Sequence, residues 1–474
     1  VTGNTVLVWF QLDLRLAANP ALEKAVQSGS AVVPVFIYAP EEEAPWEPGA
    51  ASRWWLHLSL TALDRSLAER GSRLIVRRGP SAETLLSIAS ETGATQIFWN
   101  RRYEPALRER DRKLEDQLRS AGITPEISTG NVLFEPGTIL NSSGQPFQVF
   151  TPFWRACQAQ PAPESPKPAP TSLPAPAHWP RSLAISDLEL EPKIEWAGGL
   201  REMWQPGECC AARQLKRFLD GPADDYVDGR DRPDLVGTSR ISPHLHFGEI
   251  SAKQIWHAVK RAQKGDEYLR QIAWREFSYH LLYHFPQTAE HPLRSEFRSF
   301  PWHRNQRAQK AWNRGLTGYP MVDAGMRELW HTGWMHNRVR MLVASFLVKH
   351  LLIPWQDGAA WFWDTLVDAD LANNTMGWQW TAGCGADAAP YFRIFNPVLQ
   401  GEKFDPDGSY VRRWIPELAK LSPRWIHKPW EAPAPVLAEA GIELGKDYPL
   451  PIVNHDAARK RALAALAEMK RTTN

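Results

Sequence analysis

The apolar pattern of this chain changes period once, and that change limits the folds open to it more than any other feature. Short apolar, β-rich runs at residues 5–10, 31–38, 73–77, 96–99 and 124–128 are separated by helical patterns such as 52–70. Parallel strands need long crossovers, so this alternation predicts a parallel sheet wrapped by helices. Between residues 158 and 180, Pro161, Pro163, Pro166, Pro168, Pro170, Pro174, Pro176 and Pro180 exclude a helix or a central strand and predict an extended surface linker. Beyond about residue 200 the strand-like alternation stops, and helical patterns dominate, as at 267–283, 319–329, 334–350 and 361–371. The expected fold is an α/β N-terminal domain with a doubly wound, five-stranded parallel sheet, followed by a large all-α C-terminal domain. The expected boundaries are 1–132 for the sheet domain, 133–200 for the proline-rich connection and 201–474 for the helical domain.

A chain of 474 residues is too long for one ordinary compact unit. Lys plus Arg number 55 against 53 Asp plus Glu, so a nucleic-acid partner would have to be met by a local basic patch. Cys157, Cys209, Cys210 and Cys384 show no CxxC spacing, which suits neither a disulfide framework nor a tetrahedral metal site; the expectation is reduced thiols, no metal and a cytoplasmic location. No apolar run is long enough to span a bilayer and the N-terminus lacks signal-peptide character, so a soluble, unexported protein is expected. The 23 tryptophans outnumber 18 phenylalanines and 10 tyrosines, although Phe fills cores without a buried N–H to satisfy; something beyond packing calls for indoles.

Four segments concentrate groups able to do chemistry. In Gly237-Thr238-Ser239-Arg240-Ile241-Ser242-Pro243, Ser242 can cap a helix whose first position is Pro243, and the small hydroxyl residues and open amides suit a phosphate; a capped helix without ligand explains them equally. A helical stretch places Gln271, Trp274, Arg275 and Ser278 at spacings of three and four, where a purely structural helix would more often bury Leu and Ile. Another, from Trp334, sets Asn337 and Met341 on one face with Arg338 and Arg340 alongside, a pattern that a solvated face also carries. The last packs Asp368, Asp370, Asn373, Asn374, Trp378 and Trp380 together. Its acids could bind a metal, act as acid and base, or accept hydrogen bonds from a ribityl chain or a ring N–H.

At these positions the chain resembles DNA photolyases and cryptochromes. The likeness is carried by Trp9-Phe10 with Asp13-Leu14-Arg15, by Gly237 to Pro243, Trp274-Arg275-Glu276-Phe277, Thr317-Gly318-Tyr319-Pro320, Gly333-Trp334-Met335-His336-Asn337-Arg338 and Trp378-Gln379-Trp380, and by Arg393-Ile394-Phe395-Asn396-Pro397 and Tyr448-Pro449-Leu450-Pro451-Ile452-Val453. Residues 425–430 and 441–445 look especially like plant cryptochromes and their bacterial sister group, the class III photolyases of cyclobutane pyrimidine dimers.

The resemblance implies light-driven repair of cyclobutane pyrimidine dimers in single- or double-stranded UV-damaged DNA, by electron transfer from excited reduced FAD to a flipped-out dimer. It assigns Tyr226 and Thr238, Ser239, Arg240, Ile241 and Ser242 to the FAD phosphates. It assigns Arg275, Asn337, Arg340, Asp368, Ala369 and Asp370 to the flavin pocket, with Arg340 and Asp368 as an ion pair near the ring. Asn374 matches the residue beside flavin N5, where a neutral amide does not readily give a proton. Trp274 and Trp380 match the indole walls of the dimer pocket, and Met341, Asn337 and Gln271 match groups on the thymines. Arg338, Arg393 and Lys403 are candidates for flanking phosphates. Trp378, Trp355 and Trp302 match the electron-hopping chain between flavin and surface. A 5,10-methenyltetrahydrofolate antenna and a monomeric state are also expected.

The likeness also implies an alternative, a cryptochrome-like blue-light photoreceptor with FAD and little repair. Plant cryptochromes generally lack the indole at Trp274, carry Tyr for Trp380 and Asp for Asn374; here all three are the photolyase residue. Such sensors often use a long C-terminal tail, whereas this chain stops at Asn474, soon after Pro451. Histidines that the (6-4) photolyases use stand at the positions of Asn337 and Met341, which disfavours that activity. The chain departs from photolyases of cyclobutane dimers at Gln271, where Glu is usual. It departs again at Gln11, Leu12 and Ala18, and at Ala106 and Leu107 after Tyr103-Glu104-Pro105, where many folate-binding members have Asn-Glu.

Overall fold

The computed structural model describes residues 4–388 and 392–473. They form two compact units that interleave along the chain: residues 1–224, 239–286 and 367–371 in the first, and 225–238, 287–366 and 372–474 in the second.

The first unit is built on five parallel strands, β1 (Thr5–Phe10), β2 (Ala31–Tyr38), β3 (Ile75–Arg78), β4 (Gln96–Asn100) and β5 (Thr124–Ser128), in the order β3-β2-β1-β4-β5. All five expected runs are strands; the third starts two residues later than its apolar pattern. Helices such as Ala50–Ala68 and Pro105–Ser120 make the crossovers. Leu7, Trp9, Val33, Val35, Ile75, Ile97 and Trp99 bury against them, which explains the near-continuous apolar reading of each strand. Pro34 is tolerated in β2 because the pairing with β3 begins only at Val35. Beyond that end of β3 the proline-rich segment takes over, and the Pro174 carbonyl accepts from the Val32 N–H at 2.8 Å. Its backbone also meets Ala18 through Lys167 and Arg70 through Leu173, so the segment is extended and held on this unit as the composition predicted.

The expected boundaries at 132 and 200 do not coincide with the limits of the compact units, and buried polar groups bond across them within the first unit. Arg15 is fully buried, and its five N–H groups reach the Ala18 carbonyl twice, the Gly130 and Gly248 carbonyls and Asn131 Oδ1 at 2.7–3.2 Å. Gly248 has φ +63°, and a Cβ there would lie 2.3 Å from the Leu12 carbonyl oxygen, so the close approach requires glycine. Glu276, on the helix Asp266–His284, accepts from the Leu133 and Phe134 N–H groups at 2.7 and 3.3 Å. These bonds tie residues 239–286 to the sheet.

The second unit is helical, and no β-strand lies beyond β5 among the described residues. Two expected helices are broken. The pattern read from Trp334 starts as a helix only at Asn337: Gly333, at φ +66°, ends the preceding helix Pro320–Thr332, and His336 Nδ1 caps Asn337–Ser345 by accepting from the Arg338 N–H. The pattern at 361–371 is the end of Trp355–Thr365 and the first residue of Leu371–Ala382, with an extended turn between them. Buried Asp323 explains why two of the motifs occur together. Its carboxylate accepts from the Thr317 N–H and hydroxyl, the Gly318 N–H and the Tyr448 hydroxyl at 2.6–2.9 Å. No described helix is long and apolar enough to cross a membrane.

Burial raises the Glu276 carboxyl to about 7, an effect that Arg275 and the two backbone N–H groups offset only in part. The folded chain therefore keeps a proton that the unfolded chain, at 4.5, has released, and stability falls as pH rises from about 4.5 to about 7. The full contribution, ~3 kcal/mol, is present below that window and lost above it. Glu276→Gln is expected to flatten this part of the thermal-midpoint profile; parallel profiles for the two proteins would show that Glu276 titrates normally.

Candidate functional site

Residues 367–370 leave the helical path, and this brings two carboxylates onto partners elsewhere in the first unit. Ser242 does not cap its helix as expected: it is the first residue of the short helix Ser242–His246, Ile241 occupies the cap position, and the Ser242 hydroxyl donates to Asp368 Oδ2 at 2.6 Å. Asp370 is buried and accepts a short hydrogen bond from the Tyr279 hydroxyl, with His246 Nδ1 3.9 Å away. Burial alone would push the Asp370 carboxyl up. His246, the Arg275 charge and the Tyr279 hydroxyl outweigh it and hold the group well below the ordinary range, so it is ionised.

Arg275 is buried as well. Its guanidinium lies 4.6 Å from the Tyr279 ring centroid and donates to the Asn131 carbonyl at 2.9 Å. The segment before Ser242 turns through Arg240 at φ +51°. There the Ser239 hydroxyl accepts from Tyr268 at 3.0 Å and its carbonyl accepts from Gln214 at 2.8 Å, while Ile241 and Ala369 are buried. Ser242, Arg275, Asp368 and Asp370, read from separate segments, thus belong to one polar cluster. The donor set suits FAD: hydroxyls and amides for phosphate oxygens, and an ionised carboxylate beside a guanidinium for ribityl hydroxyls and the polar ring edge.

On the helix Asp266–His284, Gln271 and Trp274 are half-buried. Trp274 stacks on Phe150 at 3.7 Å between centroids and 8° between planes, so one face of the indole is backed by a second aromatic ring.

In the second unit, Tyr226 is buried at the start of a short helix, and Gly229 and Gly237 bring the ends of residues 226–238 together. A Cβ on Gly237 would meet the Gly229 carbonyl oxygen at 2.2 Å, leaving Thr238 just beyond this contact. Asn374 donates its amide N–H to the Ala359 carbonyl at 3.1 Å. Arg340 Nε donates to the Met335 carbonyl at 2.7 Å, and Asn337 Nδ2 lies 3.8 Å from Met341 Sδ. Trp380 borders a narrow crevice with Lys349, Phe392 and exposed Arg393. Arg338 and Lys403 meet over one ring, Phe404, at 4.4 and 5.0 Å.

Trp378 is buried between Phe362, at 5.0 Å, and Trp312, at 6.2 Å, and its Nε1–H has no acceptor. The helix that starts at buried Trp355 packs through Gly358, where a Cβ would lie 2.1 Å from the Trp378 ring. Trp302 is half-buried against Phe300 at 4.4 Å.

Several groups escaped the sequence reading. Tyr279 stands one turn after Arg275, a spacing that could have flagged it. His246 carried no such signal. In the first unit, a groove of about 530 Å³ is lined by Phe134, Trp154, Trp256, Lys260 and Arg270 among others, with the two indoles edge to face at 6.2 Å. No group of three or more metal-ligating side chains lies among the described residues.

The model of the FAD binding domain of DNA photolyase matches residues 268–468, and the DNA photolyase model matches residues 6–173. A deoxyribodipyrimidine photo-lyase of Agrobacterium fabrum is 51% identical over 475 residues, covering 99% of this chain and 98% of the relative. Cryptochrome-1 of Arabidopsis thaliana is 43% identical over 486 residues, covering 99% of this chain and 71% of the relative. The crystal structure of a bacterial class III photolyase from Agrobacterium tumefaciens superposes with a TM-score of 0.96 at 50% identity, covering 99% of this chain and 98% of that one.

Tyr279→Phe removes one donor from a carboxylate that stays buried, which is expected to cost ~1–3 kcal/mol. The urea midpoint is expected to fall. An unchanged midpoint would mean that Arg275 and His246 suffice to hold Asp370.

Proposed function

The chain belongs to the photolyase/cryptochrome family, and on that premise we propose that it is a light-driven deoxyribodipyrimidine photo-lyase, an FAD enzyme that repairs cyclobutane pyrimidine dimers in DNA. The observation that carries this reading is the Trp274 platform. An indole backed face to face by Phe150, with the Gln271 amide one turn away on the same helix, has the shape and chemistry of a receptor for a flipped pyrimidine.

FAD, when bound here, would supply one-electron chemistry driven by light. Tyr226 and Thr238 to Ser242 hold its phosphates, through hydroxyls and backbone amides. Arg275, Asp368, Ala369 and Asp370 hold the ring and ribityl side, where the ionised Asp370 accepts N–H or O–H donors. Asn337 and Arg340 would also meet the cofactor, and Asn374 would offer it a neutral amide that yields no proton. Trp378, Trp355 and Trp302 carry electrons inward from solvent; the tight packing of Trp378 against Gly358 favours a fixed hopping distance.

Trp274 and Trp380 wall the dimer, Met341 fills beside them, and Gln271 with Asn337 hydrogen-bonds the thymine edges. Arg338, Arg393 and Lys403 contact flanking phosphates, and the charged ends of Arg338 and Lys403 lie over the Phe404 ring. A 5,10-methenyltetrahydrofolate antenna would find the Trp154 and Trp256 indoles for its pterin and Arg270 for its carboxylates in that groove, where Lys260 is paired with Asp266 at 2.7 Å. The usual alternative near Tyr103 and Glu104 is tied up, because Glu104 is bound to Arg102 at 2.7 Å. The enzyme acts as a cytoplasmic monomer.

Blue light on the reduced holoprotein with a thymine-dimer oligonucleotide is expected to restore the ultraviolet absorbance of intact thymines; no recovery would leave the photoreceptor reading. Gln271 can donate to a carbonyl but supplies no proton or charge, so Gln271→Glu is expected to raise the repair quantum yield, and an equal yield would remove that role. Trp378→Phe is expected to slow photoreduction of oxidised flavin severalfold, whereas unchanged photoreduction would send the electrons by another path.

A further inference from the structure

Arg338 is not waiting in solvent. One edge of its guanidinium is held by Asp231, Nη2 to Oδ1 at 2.6 Å, and its plane rests on Phe404 at 4.4 Å. Its Nε–H is buried and meets no acceptor, so the side chain is incompletely satisfied in this position. Lys403, the second cation over Phe404, adds to the positive field at the same place.

Asp231 has a different status from its neighbours. Further along the loop, Asp234 is clamped by Arg232 through two bonds of 2.8 and 2.6 Å, and its carbonyl accepts from Arg413 at 3.3 Å. Asp231 has 36% of its side chain exposed against 22% for Arg338. A half-exposed carboxylate on a guanidinium is a weak pair that another oxyanion can replace.

We propose that Asp231 occupies the place of a DNA phosphate, pairing with Arg338 in the free protein and yielding it to the backbone of bound DNA. The inference rests on the reading of Arg338 as a phosphate contact. Exchange of one oxyanion for another leaves the Asp231 charge facing the DNA, so this residue lowers affinity for any duplex, damaged or not. Phosphate contacts carry no sequence or lesion information, and the effect is therefore uniform. Asp231 is a positioning residue that keeps the arginine oriented over Phe404 while limiting non-specific retention. It also lies on residues 225–238, together with Tyr226 and Thr238, so loss of the Arg338 contact frees one anchor of that loop.

The test compares holoprotein with Asp231→Asn and Arg338→Ala, using fluorescence anisotropy with an undamaged duplex and a thymine-dimer duplex across a salt series. Asp231→Asn is expected to tighten both complexes about three- to tenfold at low salt and to steepen the logarithmic salt dependence by about one unit, as for one more effective phosphate neutralised. Arg338→Ala is expected to weaken both. If Arg338→Ala changes nothing, the phosphate reading of Arg338 fails and takes the inference with it. If Arg338→Ala weakens binding while Asp231→Asn leaves it unchanged or weakens it too, Asp231 merely props the arginine and the inference alone is overturned.

Discussion

An ionised carboxylate in a buried place needs donors from every side, and Asp370 dictates much of what surrounds it. The chain leaves the helix after Thr365 and resumes it at Leu371, and between the two Asp370 accepts from the Tyr279 hydroxyl. The extended turn at 367–370 is the result, and it also carries Asp368 onto Ser242. Arg275 then has a reason to be buried, since its charge offsets that of Asp370 and its plane rests on the ring of the same Tyr279. A broken helix, a serine turned to a carboxylate and a buried arginine thus lie around Asp368 and Asp370.

A second buried cation, Arg15, joins segments far apart along the chain within the first unit. Arg15 has no carboxylate partner among its hydrogen bonds; five neutral oxygen contacts replace water around it. Burial lowers its affinity for a proton without removing the charge. Because one of these oxygens comes from Gly248, residues that look like the opening of a helical domain are held on the sheet. Compactness and evolutionary family model therefore divide the chain differently: the FAD domain model begins at residue 268, inside a helix of the first unit.

The aromatic excess finds distinct uses in each unit. Trp274 gains a rigid backing from Phe150, which fixes the plane against which a base can stack. Trp378, with its unsatisfied N–H, sits in a socket made for a ring by the missing side chain of Gly358. An indole kept without a hydrogen-bond partner in a core is costly, and packing alone gives no reason to prefer it to Phe. Two of the cations expected at the DNA, Arg338 and Lys403, likewise lie over an aromatic face, that of Phe404.

The amino-acid sequence alone indicated the five parallel strands, the extended proline segment and the helical remainder, because periodicity and proline act locally, although the helical patterns at 334–350 and 361–371 are interrupted in the fold. It also carried the family, through motifs such as Thr317-Gly318-Tyr319-Pro320 and Tyr448-Pro449-Leu450 whose shared partner, Asp323, lay hidden until the fold was known. What only the tertiary structure decided is which polar groups answer one another. Arg15 meets Gly248 across 233 residues, and Ser242 meets Asp368 across 126. Tyr279, His246 and Asp231 gain their meaning solely from a neighbour distant in sequence. Hydrogen bonds and ion pairs depend on ångström-scale placement, and that placement follows from packing of whole elements rather than from any local pattern of residues.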